Sequence, residues 1–226
     1  MTKFIAHRGN DNHQYKENTK EAILESLKKD YISGVEFDIR MTKDKKIVVI
    51  HNCTISQASD GWGFVRHMTL KELRKYNFGT KNKPSKIATL EQVLSDIKCD
   101  KKIVIEIKEE TDKFKLLVDK LLKIVSRNKK LNLYFCSFNH KLIEYFKNKC
   151  ASIKTGLVLI LAKDVNKTNL YSDFYVINHL YLDKIKTEKE IMIWTINSLK
   201  QYLKIRSDLT NNMYVITDKA YLLKEK

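Results

Sequence analysis

Two pairs of charged residues spaced by two, Glu36-x-Asp38 and Glu106-x-Lys108, each sit inside a run of β-branched and aromatic residues. In a strand, that spacing puts both members of a pair on one face. Val35, Phe37 and Ile39 then face the other way, into a strand–helix layer. Carboxylates aimed together into an interior are costly unless something positive lies between them. One divalent cation meets that need, and Glu106 completes a three-carboxylate set with Glu36 and Asp38. All-oxygen ligation suits hard ions: Mg²⁺, Ca²⁺ or Mn²⁺. Lys108 is placed to meet a phosphate oxygen. His7, followed by Arg8 and Gly9, ends a strand-like run near the N-terminus, and His51 ends another. Two histidines flanking a cation and a phosphate are arranged for acid–base cleavage of a phosphodiester. One takes a proton from the attacking hydroxyl and the other protonates the leaving oxygen, while Arg8 and Lys108 hold phosphoryl charge.

Taken singly, each residue has a plainer role, such as a strand-end acid paired with a surface lysine or a satisfied core histidine. The elements that must carry them favour the joint reading. Eight strand-like runs recur, at 3–7, 34–39, 101–107, 133–138, 154–160, 174–178, 191–196 and 213–217. They alternate with amphipathic stretches, as in 113–127, where Phe114, Leu117, Val118, Leu121, Leu122 and Val125 share a helical face. Capping-box patterns start helices at Asn18–Glu21, Thr69–Glu72, Thr89–Gln92 and Ser198–Gln201. The stretches 161–172 and 179–189 are only weakly periodic. Eight alternations predict an α/β chain closed into a parallel barrel, with every candidate residue at the C-terminal ends of its strands. The run 46–51 follows the second strand too closely for a parallel crossover, so it is predicted to return as a hairpin above the barrel. The insertion over 41–88 is then expected to cap the mouth.

With 226 residues, one proline and six glycines, no linker is visible, and 1–226 reads as a single domain. No run is long and apolar enough to span a membrane, and the first residues turn polar too soon for a signal peptide. Cys53, Cys99, Cys136 and Cys150 lie far apart, three of them in apolar contexts. They read as reduced core thiols of a cytoplasmic protein. The net charge of +16 suits an anionic partner. Without a block of consecutive basic residues, scattered solubilising lysines are the simpler reading, and no motif supports nucleic-acid binding.

The string HRG…ENT…GVEFDIRMTKDKKIVVIHN…TLEQVL…IVIEIK…SF…WTIN…ITD resembles, from end to end and in order, the glycerophosphodiester phosphodiesterase family. The resemblance implies a (β/α)8 TIM barrel of the phosphatidylinositol-phospholipase-C-like kind. It implies hydrolysis of small-molecule glycerophosphodiesters to glycerol 3-phosphate and an alcohol. It also implies that His7 and His51 are the acid–base pair, that Glu36, Asp38 and Glu106 hold the metal, and that Arg8 and Lys108 hold phosphate. Glu17 matches a buried acid orienting Arg8, and Trp194 matches a pocket-wall residue, against a core role from pattern alone. The chain departs from the family pattern at Lys16, at the turn Asp44-Lys45 and at Asn52, where the family carries Pro, Asp-Gly and Asp. The Asn52 change removes a charge beside His51. Trp62 and Phe64 read as core of the insertion, Asp218 as a barrel-closing hydrogen-bond partner, and His13, His67, His140 and His179 as solvent-exposed. The competing functions are a lysophospholipase D on lysolipids, with peripheral membrane contact and an apolar groove beside the site, and a non-catalytic anion-binding barrel.

Overall fold

In the computed structural model, which describes residues 2–109, 114–160 and 171–224, nine strands form one sheet. Eight are parallel and closed: β1 (Phe4–Ala6), β2 (Ile32–Met41), β4 (Lys102–Ile107), β5 (Leu133–Ser137), β6 (Lys154–Leu159), β7 (Phe174–Asn178), β8 (Glu190–Trp194) and β9 (Met213–Thr217). β1 pairs in parallel with both β2 and β9, which closes the barrel. The chain is thus an α/β protein with a (β/α)8 barrel, and the runs read from the sequence match its staves to within a few residues. β3 (Ile47–Val49) pairs antiparallel with the far end of β2, as the short connection requires.

The pleat sorts the side chains. Val35, Phe37 and Ile39 of β2 join the large strand–helix layer. Inside the barrel, Ile5, Val104, Cys136, Val176, Met192 and Ile216 form a second, smaller core. Below it Lys102 closes the floor. Its Nζ lies 2.9 Å from a Glu190 carboxylate oxygen and 3.4 Å from the centre of the Tyr134 ring. Gly34 makes room for that strand, because a Cβ there would stand 2.4 Å from the Lys102 carbonyl oxygen.

Around the barrel run α1 (Lys20–Leu27), α3 (Leu90–Asp96), α4 (Lys115–Arg127), α5 (His140–Lys149), α6 (Leu199–Ile205) and α7 (Ala220–Leu223). Three capping boxes form as predicted, at Thr69/Glu72, Thr89/Gln92 and Ser198/Gln201, the first opening the short α2 (Leu70–Leu73). The fourth does not. Thr19 alone caps α1, accepting from the Ala22 N–H, while Asn18 stands outside the helix at φ 55°. Between β7 and β8 the weakly periodic stretch holds a 3₁₀ segment, His179–Lys184, in place of an α-helix. Of the stretch 161–172, residues 161–170 lie outside the described residues.

The insertion differs from expectation. Val48, Ile50, Ile55, Val65, Leu73, Phe78 and Ile87 give it a core of its own. That core braces the hairpin from the side, and none of residues 52–88 lines the cavity at the barrel mouth. Trp62 and Phe64 stay outside it, exposed. The cysteines also diverge. Cys136 is buried, Cys99 and Cys150 are half-buried and Cys53 is exposed, so only one is a core thiol.

Candidate active site

The site begins with a tight turn at the end of β1. Arg8 and Gly9 both adopt left-handed backbone, φ 51° and 66°. A Cβ at Gly9 would come within 2.4 Å of the Ile23 side chain on α1, so only glycine fits. The turn aims the Arg8 N–H at Glu36 Oε2, 2.9 Å away. The Arg8 guanidinium meets Glu17 at 2.6 Å and lies 3.7 Å from Asp38. Glu17 therefore holds Arg8 as the resemblance implied, but it does so from the surface. Its side chain is 44% exposed, not buried, because the loop before α1 carries it past the barrel rim.

Glu36 and Asp38 point inward from β2 and are buried. Glu106 joins them from β4, since Asp38 and Glu106 are register partners. One oxygen from each of the three lies within 4.8 Å of the others. Asn18 fixes Asp38 twice, its amide donating to Oδ2 at 2.9 Å and its Oδ1 accepting the Asp38 N–H at 3.0 Å. The left-handed backbone that takes Asn18 out of the helix makes this reach possible, and asparagine tolerates it better than most residues. Lys108 Nζ sits 2.6 Å from Glu106 and 3.2 Å from Asp38.

The charges in this cluster do not balance among themselves. Burial, and then the Asp38 charge, push Glu36 up to about 8. Burial and Asp38 also raise Glu106, against the pull of Lys108. Burial works the same way on Asp38, but Lys108, His51, Asn18 and Arg8 outweigh it and hold that carboxyl below the usual range. Three converging carboxylates, Glu36 and Asp38 buried and Glu106 partly so, with Glu36 and Glu106 held back from ionising, fit a hard divalent cation, which would relieve the repulsion that raises them.

The two histidines stand in contrasting surroundings. Burial disfavours a charged His7, yet its Nδ1 lies 2.9 Å from Asp218 Oδ1, and this bond with the Glu36 and Asp218 charges raises its pKa above the ordinary histidine value. Asp218 is held in turn by the Asn197 amide, and Asn197 Oδ1 accepts the Asp218 N–H at 2.9 Å. For His51, burial prevails, aided by Lys108 and Arg8, and lowers its pKa despite Asp38 and Asn52. Its Nδ1 lies 2.7 Å from Asn52 Oδ1, which leaves Nε2 for the cavity, and Gln57 holds the Asn52 amide. Asn52 thus orients the ring without adding charge. Arg40 pins the hairpin to β4, donating through Nε to the His51 carbonyl at 2.8 Å and through Nη1 to the Lys108 carbonyl at 3.0 Å.

All of this opens into one cavity of about 170 Å³, lined on one side by His7, Arg8, Glu36, Asp38, His51, Glu106 and Lys108. The opposite wall is apolar: Phe138, Val158, Val176, Trp194 and Ile216. Trp194 is therefore a wall residue. Eight of the nine residues singled out from the sequence line the cavity, and Glu17 touches it through Arg8. The supports Asn18, Arg40, Asn197 and the Asp218–His7 bond were not read. Asn18 opens a local pattern typical of a helix start, Asn18-Thr19-Lys20-Glu21, and nothing in that pattern marks its bond to Asp38.

Comparisons with known proteins point to one family. The model of the Glycerophosphoryl diester phosphodiesterase family matches residues 7–208. A glycerophosphodiester phosphodiesterase of Caldanaerobacter subterraneus subsp. tengcongensis is 34% identical over 163 residues, which span 70% of this chain and 66% of that protein. The crystal structure of a glycerophosphodiester phosphodiesterase from Thermotoga maritima is 26% identical, with a TM-score of 0.79 over 100% of this chain and 98% of that one. An Oleispira antarctica phosphodiesterase, solved in complex with the product sn-glycerol-3-phosphate, shares the fold with a TM-score of 0.86 at 20% identity, over 100% of this chain and 96% of that one. The chain belongs to the glycerophosphoryl diester phosphodiesterase family, whose members are phosphoric diester hydrolases.

Proposed function

We propose that this cavity cleaves glycerophosphodiesters to glycerol 3-phosphate and an alcohol, with His51 as base and His7 as acid. The observation that carries the reading is the contrast between the two rings. His7 is paired with Asp218 and biased toward its protonated form. His51 is biased toward its neutral form with Nε2 free of Asn52. A diester held by Arg8 and Lys108 lies between them. His51 takes the proton of the glycerol 2-hydroxyl as its oxygen attacks phosphorus. The bond to the leaving alcohol breaks, and His7 gives that oxygen its proton. Water then opens the cyclic phosphate with the two roles exchanged. Glu36, Asp38 and Glu106 would hold one divalent cation, Mg²⁺, Ca²⁺ or Mn²⁺, whose charge acidifies the hydroxyl and offsets phosphoryl charge when bound.

The test is release of glycerol 3-phosphate from glycerophosphocholine, first with EDTA and then with each ion restored. Activity that disappears with EDTA and returns with one ion is the expected result, and activity indifferent to EDTA would overturn the role of the carboxylates. The apolar wall carries a second reading, in which a lysolipid places its acyl chain along Phe138 and Trp194. Faster turnover of lysophosphatidylcholine than of glycerophosphocholine would favour it. Four free cysteines suit a reducing compartment, and the reading places the protein in the cytoplasm. No described helix is long and apolar enough to cross a membrane.

A further inference from the structure

The insertion fills its small core with Ile55, Val65, Leu73 and Phe78, yet leaves two large rings outside it. Trp62 is 71% exposed and Phe64 36% exposed. The rings meet edge-on, 6.0 Å between centres, and the Arg66 guanidinium stands 5.9 Å from the Phe64 ring. Neither ring lines the catalytic cavity, and neither is needed for the core. Their position is fixed close to the barrel mouth. Phe64 bridges to Thr54, three residues after His51, and the Val65 N–H donates to the Cys53 carbonyl at 2.9 Å.

The charged tip of the β2–β3 hairpin is tied to the same segment. The Lys43 N–H donates to the Met68 carbonyl at 2.9 Å, and Asp44 accepts the Leu70 N–H at 3.0 Å. Exposed Lys43, Lys45 and Lys46 on the hairpin, with exposed Arg66 and Lys71, therefore lie on segments bonded to the one that carries the aromatic pair. The three acids of this insertion all accept hydrogen bonds, Asp44 from Thr42 and Leu70, Asp60 from the Asn77 N–H, and Glu72 from Thr69. Residues 41–88 contain ten basic and three acidic side chains, a net +7 of the chain's +16. Amphipathic rings prefer the boundary between headgroups and acyl chains, and cations beside them are drawn to anionic headgroups. Exposed aromatics bordered by lysines and an arginine complement an anionic bilayer in both respects.

We propose that the Trp62–Phe64 segment and the hairpin lysines dock the protein, mouth side down, on an anionic lipid bilayer. This surface is distinct from the catalytic groups, and its binding can be read without turnover. The experiment is flotation of the intact protein with phosphatidylcholine–phosphatidylserine vesicles and with pure phosphatidylcholine vesicles. It is paired with emission from Trp62 in a Trp194→Phe background, where Trp62 is the one remaining tryptophan. The expected result is flotation with the anionic vesicles alone, weakened by salt, with a blue shift of Trp62. Trp62→Ala/Phe64→Ala should reduce vesicle partition about tenfold or more while turnover of soluble glycerophosphocholine stays unchanged. Flotation of that double variant at the wild-type level, or an unshifted Trp62, would overturn the proposal. So would a concentration-dependent dimer that the double variant abolishes, since the rings would then face a second copy. Diesterase failure with intact flotation would count against the catalytic reading alone.

Discussion

Two histidines of the same type acquire opposite biases here because the Asp218 bond and the Glu36 and Asp218 charges outweigh burial at His7, whereas burial, with Lys108 and Arg8, outweighs Asp38 and Asn52 at His51. Removing either ring should cost roughly two to four orders of magnitude in turnover with unfolding curves unchanged, as steady-state kinetics beside thermal melts of His7→Ala and His51→Ala would show. Asp218→Asn makes a finer prediction. Without the carboxylate, the imidazolium loses its charge partner and keeps only a neutral amide oxygen as acceptor, so the His7 pKa falls. His7 must carry a proton to act as the acid, so the alkaline limb of the pH–rate profile should move to lower pH while the acid limb, set by His51, stays in place. An alkaline limb that did not move would remove His7 from the acid role. At this scale the sequence was most readable where spacing carried the information, as in Glu36-x-Asp38. It was least readable where a residue acts on another far away in the chain. Nothing local marks Asp218 as the partner of His7, because their meeting depends on β9 and β1 becoming neighbours.

The hairpin shows an element whose local chemistry is imperfect but buttressed. Lys45 occupies a left-handed position, φ 61°, that glycine takes without strain. Thr42 compensates, its hydroxyl donating to Asp44 at 2.6 Å and accepting the Lys46 N–H at 2.9 Å. A non-glycine residue in that region costs roughly 1 kcal/mol. Lys45→Gly should therefore stabilise the protein by about 0.5–1 kcal/mol, measurable by urea unfolding, with the catalytic constants unaltered. The strands and helices were legible because runs of β-branched residues and 3.6-residue periodicity are dictated by burial. The insertion's placement was not, since the same apolar residues could have roofed the mouth or braced the hairpin. Trp62 and Phe64 were misread for a related reason: sequence records that a side chain is apolar, not whether a neighbouring core has room for it.

At the level of the whole molecule, the raised pKa of Glu36 links the site to global stability. Glu36 keeps its proton to about pH 8 in the folded chain, against an ordinary value of 4.5. Between those values the folded state holds more protons than the unfolded one, so this group makes stability fall as pH rises across that window. A bound cation reverses the cause by balancing the ionised carboxylates. The rise in melting temperature on adding Mg²⁺, Ca²⁺ or Mn²⁺ after EDTA should therefore be larger near pH 8 than near pH 5. An equal or opposite difference would mean that Glu36 is not a ligand.

The floor laid by Lys102, Glu190 and Tyr134 fixes how matter can move through the barrel. Among the described residues, that floor lies beneath the interior core, and the cavity above it opens at the barrel mouth. In the proposed two-step cleavage, incoming diester, departing alcohol, hydrolytic water and finished glycerol phosphate would all share that opening, and the chemistry would set their order. On that mechanism the alcohol would have to clear the rim before water could take its place beside His7, with the cyclic ester held under Arg8 and Lys108. Traffic at the rim would then be part of each turnover, and an alcohol slow to leave would delay its own replacement by water.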